Sequence, residues 1–252
     1  MTLLEKLHEK SRCGECNCNE GLDFSFSFAF QPIIDVDNRD VYAYEALVRG
    51  TQGEGADTIL NRVNEHNRYS FDQRCRVKLA SRLKLRTRLS INFMPNAVYE
   101  PENCIRTTLA AAKTYNFDTS KLIFELTENE ALTDANHLVS IISAYREMGF
   151  QVALDDFGAG YSRMNVVIAS PPNLIKLDMS LLRGIERNNN QQAVVNGILV
   201  MSDQLGSRVI AEGVETMEEY RWLRQREVSL FQGYLFARPG FEELPEPFFP
   251  KD

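Results

Sequence analysis

Two neighbouring carboxylates, Asp155 and Asp156, end a β-prone run and lead into two glycines in the stretch LDDFGAG. Each acid could bind a different cation, or one of them could bridge two, because carboxylate oxygens are preferred ligands of hard divalent ions. Asp156-Phe157-Gly158 also spells the DFG motif of protein kinases. The kinase interpretation fails on context, since the chain has no GxGxxG loop, VAIK lysine or HRD catalytic loop.

Other polar residues stand at or near the carboxyl ends of apolar runs elsewhere in the chain. They are Asn92, Glu125, Lys176 with Asp178, Glu212 and Gln232, while Glu45 lies inside its own run. A polar side chain in a buried strand is unfavourable unless it is paired or binds a metal. A single example is usually a satisfied strand-end group, but so many at comparable positions are poorly explained as independent accidents. The pattern predicts one pocket, lined by Glu45, Asn92, Glu125, Asp155, Asp156, Lys176 and Glu212.

The predicted pocket offers oxygen ligands and neither cysteine nor histidine. His8, His66 and His137 all lie away from it in the sequence. Oxygen ligation favours Mg2+ or Mn2+ over zinc or copper, and so many carboxylates cannot all stay ionised close together without cations. Paired ions are a recurrent solution for phosphate-ester hydrolysis. Lys176 adds a positive charge that could orient the attacking water or neutralise a phosphate oxygen.

Eight β-prone runs must position these residues, and helical stretches fill most gaps between the later runs. The runs are FSFAFQPIIDV, VYAYEALVR, RLSINF, KLIFELT, QVALDD, NLIKLD, RVIAE and SLFQGYLF. A short polar turn around Asp37 and Asn38 joins the first two, which predicts an antiparallel hairpin. The alternation predicts an α/β fold, a (β/α)8 barrel with an irregular start and all functional strand ends at one face, with a doubly wound open sheet as the alternative. One helix is predicted to begin at Thr133 or Asp134 and to end at Gly149.

Composition and charge narrow the class of protein. The chain has 252 residues, of which 44% are hydrophobic, and this is ordinary for a globular protein with a sizeable core. The net charge of -7 argues against binding of a DNA or RNA duplex, whose phosphate backbone favours a basic surface. No apolar run approaches the roughly 20 residues needed to span a bilayer, and residues 1–10 contain no apolar signal-peptide core. We therefore expect a cytoplasmic protein with no membrane partner.

The five cysteines are expected to be reduced in that compartment. Cys13, Cys16 and Cys18 crowd together in CGECNC, and with His8 they could bind zinc. A complete zinc-ribbon pattern would show a second CxxC pair, which the sequence lacks. We favour free thiols in an N-terminal extension, residues 1–22, whose role the sequence leaves open, followed by one folded domain at residues 23–252.

The stretch EALVR, which contains Glu45 and Arg49, resembles the motif that names the bacterial EAL-domain phosphodiesterases. Further motifs agree in the same order: FQPIID, INF, FELTE, LDDFGAGYS, IKLD, AEGVET and FQGYLFARP. So many ordered motifs, over about residues 27–240, are far more specific than one short match. The resemblance implies a modified TIM barrel with an antiparallel first strand. It also implies hydrolysis of the bacterial messenger cyclic di-GMP to linear pGpG with Mg2+ or Mn2+, two ions in all.

The resemblance further implies a role for each matching residue. The metal ligands are Glu45, Asn92, Glu125, Asp155 and, for the second ion, Asp156. The catalytic residues are Lys176 and Glu212, which position or activate water, Gln232, and Glu128, which steadies the loop that begins at Asp156. The substrate-binding residues are Gln31, Arg49, which holds a phosphate, and Asp178.

The leading hypothesis is a cyclic-guanylate-specific phosphodiesterase whose substrate is cyclic di-GMP. By resemblance it forms a homodimer, with the stretch GAGYSRM near the interface. One alternative is a weakly active or inactive cyclic di-GMP-binding regulatory protein, which the loss of an acidic ligand would favour. Another is a metal-dependent hydrolase of a different phosphodiester, which would differ only in the pocket for the base.

Overall fold

A computed structural model of the protein describes residues 22–82, 87–98, 101–114, 118–126, 135–159 and 164–251. Nine strands within these segments form a single sheet. The strands are β1 (Ser27–Asp35), β2 (Asp40–Arg49), β3 (Arg88–Phe93), β4 (Leu122–Leu126), β5 (Gln151–Phe157), β6 (Leu174–Leu177), β7 (Arg208–Ala211), β8 (Leu230–Phe231) and β9 (Gly240–Phe241). Residues 1–21, with Cys13, Cys16 and Cys18, lie outside the described residues, so the predicted extension stays a prediction.

The sheet closes on itself as a barrel. Strands β2 to β8 follow one another in parallel register, and β1 lies between β8 and β2, antiparallel to both. The short β9 pairs with β1 at Ala29 and Phe30, on the edge of β1 that also pairs with β8. The predicted TIM-like barrel with an antiparallel first strand is confirmed, and the doubly wound open sheet is wrong.

The hairpin between β1 and β2 forms where the polar turn predicts it. One carboxylate oxygen of Asp35 accepts hydrogen bonds from the backbone N–H groups of Asp37 and Asn38, each 3.2 Å long. Arg39 completes the turn in a left-handed conformation with φ 50. These local contacts reverse the chain within four residues, and this sharp reversal makes the first strand antiparallel to its neighbour.

Helices and short helical turns lie between the strands. The α-helices are α1 (Ala56–Leu60), α2 (Arg68–Arg82), α3 (Pro101–Cys104), α4 (Arg106–Thr114), α5 (Ala135–Glu147), α6 (Met164–Ala169), α7 (Met179–Leu182), α8 (Asn189–Leu205) and α9 (Met217–Arg224). The 3-10 turns span Pro95–Ala97, Thr119–Lys121 and Ile185–Arg187. No helix among the described residues is long and apolar enough to cross a bilayer.

Helix α5 ends at Glu147, two residues before the predicted Gly149, and this glycine turns the chain out of the helix. Gly149 adopts φ 87, and the N–H of Phe150 bonds back to the carbonyl of Tyr145, 3.0 Å away. Such a left-handed glycine satisfies the last carbonyls of a helix and turns the chain into the next strand. The predicted N-cap residues, Thr133 and Asp134, lie outside the described residues.

The barrel interior is built in two layers. The lower layer is apolar and consists of Ile33, Ala43, Ile123, Ala153, Leu174, Ile210 and Leu230, with Tyr42 packed against it. Because side chains of a strand return to the same face every second residue, the next inward positions toward the carboxyl ends are Glu45, Glu125, Asp155, Lys176, Glu212 and Gln232. In the antiparallel β1 the matching residue precedes Ile33, and it is Gln31. An apolar floor therefore carries a polar ring.

Strand β8 is much shorter than its predicted run. It contains only Leu230 and Phe231, and the chain turns away at Gly233, whose φ is 156. A Cβ atom at Gly233 would lie 2.0 Å from the carbonyl oxygen of Val214. The run SLFQGYLF therefore breaks at its glycine, because the backbone there packs directly on a neighbouring backbone.

We predict that Gly233→Ala lowers the free energy of unfolding by about 2 kcal/mol or more, because the backbone of Val214 has little room to move. Gly197→Ala is the matched control, since Gly197 lies within α8 and nothing stands within 4 Å of an added Cβ. That exchange should raise the free energy of unfolding by roughly 0.5–1 kcal/mol. Urea unfolding followed by circular dichroism measures both, and shifts of the same sign would contradict the prediction.

Candidate active site

Lys176 lies at the centre of the polar ring, and its ammonium is surrounded by carboxylates. Its Nζ atom lies 2.8 Å from Asp155 Oδ1, 3.0 Å from Glu125 Oε2, 3.3 Å from Glu45 Oε2 and 3.4 Å from Glu212 Oε2. The side chain of Lys176 has no exposed surface, whereas that of Glu212 is 27% exposed. Lys176 therefore forms ion pairs with all four acids from the buried side of the site. Glu212 is the most exposed of the four.

Three amide side chains complete the ring around Glu45. Asn92 donates its Nδ2–H to Glu45 Oε1 over 3.0 Å, and Gln232 donates to Glu45 Oε2 over 2.7 Å. Gln232 also reaches Gln31 Oε1 at 3.4 Å, and Gln31 in turn donates to the carbonyl of Ala237 at 3.1 Å. The structure thus brings these three predicted residues into one hydrogen-bonded chain that fixes the carboxylate of Glu45.

A bulge in β5 aims both neighbouring acids into the site. Adjacent residues of a regular strand point to opposite faces, which would separate Asp155 from Asp156. The register with β6 shifts between Leu154 and Phe157, and Asp156 adopts a left-handed conformation with φ 53. This conformation is uncommon outside glycine but is tolerated by aspartate. Because of it, Asp155, Asp156 and Glu212 each bring a carboxylate oxygen within 4.8 Å of the others.

The donor atoms fit two cations that share one ligand. The first group is Glu45, Glu125 and Asp155, and the second is Asp155, Asp156 and Glu212. The buried Oδ1 atom of Asn92 has no hydrogen-bond partner, so it offers a further oxygen beside the first group. An all-oxygen donor set of this kind suits Mg2+ or Mn2+.

Burial and mutual repulsion change the acidity of the metal-free site. Burial above all raises the pKa of Glu125 well above its usual value. Burial likewise raises the pKa of Asp156 to about 6 and that of Glu212 to about 8. Burial would lower the pKa of Lys176, but the surrounding carboxylates, Asp155 foremost, raise it well above its usual value. Lys176 therefore stays an ammonium at neutral pH and serves as a fixed positive charge.

The remaining predicted site residues have different surroundings. Arg49 ends β2 and lines a cavity of about 460 Å³ that also reaches Glu45, Asn92 and Asp155. Asp178 is the N-cap of α7, since its carboxylate accepts the N–H of Ser180 at 2.9 Å. Glu128 lies outside the described residues, and so does part of the GAGYSRM stretch.

One residue of the site escaped the sequence analysis. Ser90 is fully buried, and its hydroxyl donates to the Oε1 atom of Glu125. It stands two residues before Asn92 in β3 and therefore points to the same face. That spacing is a signal that could have revealed it, because a polar residue on the inward face of a buried strand needs a partner.

The comparisons with known proteins agree on one family. Residues 21–239 match the family described as EAL domain. A standalone versatile EAL protein from Vibrio cholerae O395, solved in its c-di-GMP-bound form, is 48% identical, with a TM-score of 0.87 over 90% of this chain and 98% of that chain. BlrP1 of Klebsiella pneumoniae, solved as a manganese and cyclic di-GMP complex, is 30% identical, with a TM-score of 0.81 over 92% of this chain and 61% of that chain.

Curated relatives carry two kinds of name. Cyclic di-GMP phosphodiesterase PA2567 of Pseudomonas aeruginosa is 36% identical over 159 residues, which are 63% of this chain and 27% of that protein. The blue light- and temperature-regulated antirepressor BluF of Escherichia coli is 27% identical over 228 residues, which are 89% of this chain and 57% of that protein. The chain therefore spans little more than half of one relative and about a quarter of the other.

We predict that the affinity for Mn2+ rises between roughly pH 5.5 and 8.5, and that binding releases protons. A proton on Asp156 below a pKa of about 6 occupies an oxygen that would bind the cation, and a proton on Glu212 below a pKa of about 8 removes a negative charge beside it. Calorimetry in two buffers of different ionisation enthalpy measures the number of protons released. Glu212→Gln cannot hold the proton, so its affinity should vary less with pH near 8. An affinity that does not change with pH in the wild type would contradict the prediction.

Proposed function

This chain belongs to the EAL domain family, and on that premise we propose that it hydrolyses cyclic di-GMP to linear pGpG with two bound Mg2+ or Mn2+ ions. The observation that carries the proposal is the convergence of five carboxylates and one buried ammonium at the carboxyl end of the barrel. The identity of the substrate is supported by relatives named cyclic di-GMP phosphodiesterases. The choice of ion is supported by the neighbour solved with manganese.

The first ion would be held by Glu45, Asn92, Glu125 and Asp155, and the second by Asp155 and Asp156. Two bound divalent ions would lower the pKa of the attacking water and neutralise the phosphodiester. The protein itself supplies the geometry, because each first-ion ligand stands on a different strand and is fixed by the sheet. The bulge at Asp156 adds a ligand for the second ion within β5 itself.

Glu212 is the residue best placed to accept the proton of the attacking water. Among the acids around Lys176 it is the most exposed, and a pKa of about 8 in the metal-free site marks it as a carboxyl able to hold a proton near neutral pH. Lys176 keeps its charge, orients Asp155 and Glu125, and directs the attacking water. Gln232 fixes Glu45 in its ligand orientation.

The hydrolysis breaks one phosphorus–oxygen bond of the cyclic substrate. The hydroxyl of water joins the phosphorus, the 3′ oxygen leaves and takes a proton, and the phosphate remains on the 5′ side, as in pGpG. We assign Arg49 to a phosphate oxygen, because this residue lines the cavity beside the acids. Gln31 and Asp178 are assigned to the substrate as well, and Glu128 to the loop after Asp156.

A second candidate is a cyclic di-GMP-binding regulator with little turnover. The relative named as an antirepressor favours it, since its similarity extends over 89% of this chain. The retention of every acidic ligand favours the enzyme instead. Incubation of the metal-loaded protein with cyclic di-GMP, followed by chromatography for pGpG, separates the two functions.

We propose a cytoplasmic homodimer as the working form of the enzyme. The dimer is supported by the family resemblance and by Met164 and Ile168, which are 37% and 72% exposed on α6. These two apolar side chains stand four residues apart and therefore share a helix face, and Met164 is the last residue of the GAGYSRM stretch.

We predict that excess EDTA abolishes hydrolysis and that added Mg2+ or Mn2+ restores it. Ca2+ should support little turnover, because it is larger and accepts more ligands in looser geometry. The measurement is the rate of pGpG formation, with the metal content determined for each sample. Full activity of protein shown to contain no metal would contradict the two-ion proposal.

We predict that Glu212→Gln lowers turnover by about 10²–10⁴-fold, as expected for lost acid–base assistance, yet spares much of the affinity for cyclic di-GMP. Glu45→Gln is the comparison variant, since it removes a charge from the first-ion ligands and should weaken metal binding. Calorimetry with cyclic di-GMP in Ca2+ gives affinity, and turnover is measured in Mn2+.

The two variants should differ in their response to metal. Extra Mn2+ should partly restore Glu45→Gln and leave Glu212→Gln slow. If extra Mn2+ restores Glu212→Gln equally, Glu212 is an indispensable ligand and its role as proton acceptor is wrong. If the metal-loaded wild type binds cyclic di-GMP tightly and forms no pGpG, the regulator is the correct function.

A further inference from the structure

A second buried ion pair uses none of the residues of the acidic site, although its carboxylate residue, Asp72, lines the same cavity as Glu45, Asn92 and Asp155. Arg76 is 1% exposed and Asp72 is 3% exposed, and Arg76 Nη2 lies 2.7 Å from Asp72 Oδ2 on adjacent turns of α2. A buried ion pair is weak evidence for stability, because both charges lose their hydration and well-packed apolar residues often serve as well. Its place in the structure suggests another role.

The guanidinium of Arg76 packs against two strands that carry site residues. Its Cζ atom lies 5.7 Å from the ring centroid of Phe93 and 5.2 Å from that of Phe124. Phe93 follows Asn92 in β3, and Phe124 precedes Glu125 in β4, so both rings stand on the outer face of the barrel. Asn92 and Glu125 are themselves register partners. The guanidinium of Arg76 therefore packs on the outer face of β3 and β4, next to the residues that precede or follow Asn92 and Glu125.

The carboxylate of Asp72 fixes the point where β3 ends. Its Oδ1 atom accepts the backbone N–H of Met94 at 3.3 Å, two residues after Asn92. Tyr145 on α5 accepts a hydrogen bond from Arg76 Nη1 at 3.2 Å, and its ring packs 4.9 Å from that of Phe124. The ion pair thus links α2, α5 and the carboxyl ends of β3 and β4.

Asn92 is the ligand position that depends most on this support. Its Nδ2 atom is held by Glu45, whereas its buried Oδ1 atom has no partner. Because the amide is planar, the direction of that oxygen is set by the bond to Glu45 together with the position of the backbone at the end of β3. We propose that Asp72 and Arg76 are positioning residues that hold Asn92 and Glu125 in the geometry of the first metal ion, an inference that rests on the proposed function.

The test replaces the pair by apolar residues of similar size, Asp72→Leu together with Arg76→Met. Removal of only one partner would leave an uncompensated buried charge, whereas removal of both is often tolerated. The double variant should keep its near-ultraviolet circular dichroism and cooperative melting without metal. Its Kd for Mn2+, measured by calorimetry, should rise by about tenfold or more, as is typical when groups that orient metal ligands are lost.

The matched control makes the same two exchanges in another ion pair, Asp37→Leu with Arg224→Met. That pair spans 2.8 Å beside the β1–β2 turn, at the opposite end of the barrel, so the Kd for Mn2+ should stay within about twofold of the wild type. An unchanged Kd in the Asp72/Arg76 variant would overturn the proposal. Equal losses in both double variants would overturn it as well, because they would reflect general destabilisation.

If the Asp72/Arg76 variant does not fold, Asp72→Asn together with Arg76→Gln takes its place. Asparagine keeps the shape and an oxygen for the N–H of Met94, glutamine is neutral, and neither charge is left without its partner. A Kd for Mn2+ raised by about threefold or more supports the proposal, and an unchanged Kd overturns it. Because the readout is Mn2+ binding, a wild type that binds Mn2+ and forms no pGpG would refute the proposed function and leave this test valid.

Discussion

The structure depends on the crowding of like charges around one buried ammonium. Four carboxylates contact Lys176 at one end of the barrel, and that of Asp156 lies beside two of them. Two unit charges about 4 Å apart repel by about 4 kcal/mol at an effective dielectric constant of roughly 20. Lys176 offsets part of this repulsion. Protons on Asp156 and Glu212, or divalent cations, must offset the rest. The fold therefore has to hold the acids close together against their electrostatic repulsion.

The barrel positions the acids through the alternation of side chains along its strands, in which every second residue points inward. An apolar layer closes the lower interior, and the next inward position on each strand belongs to the polar ring. Each of the proposed ligands Glu45, Asn92, Glu125 and Asp155 is therefore positioned by a hydrogen-bonded strand and not by a loop. The antiparallel β1 contributes from the opposite chain direction, since Gln31 reaches the ring one inward position before Ile33.

Support for the ring extends to the outer face of the barrel. Gln232, Asn92 and Ser90 hold the carboxylates of Glu45 and Glu125 from within. The pair of Asp72 and Arg76 packs behind the same strands through Phe93 and Phe124. The proposed binding of two ions and a charged substrate needs such preorganisation, because small displacements of ligands weaken metal binding.

The sequence by itself determined the alternation of strands and helices, the first hairpin and the identity of the polar ring, because strand periodicity, turn chemistry and ligand type are local properties. The family resemblance added the antiparallel first strand and the residue roles, of which the roles remain predictions.

Only the tertiary structure decided that Asp156 would turn inward beside Asp155, since regular strand geometry sends neighbours apart and the bulge depends on pairing with β6. It likewise decided that β8 ends at Phe231 and that the chain turns away at Gly233. It also placed the hydroxyl of Ser90 on Glu125 and packed Arg76 against Phe93 and Phe124. These outcomes depend on contacts between residues far apart in the chain, such as Gly233 with Val214 or Arg76 with Tyr145, and no local pattern encodes which distant group will be the partner.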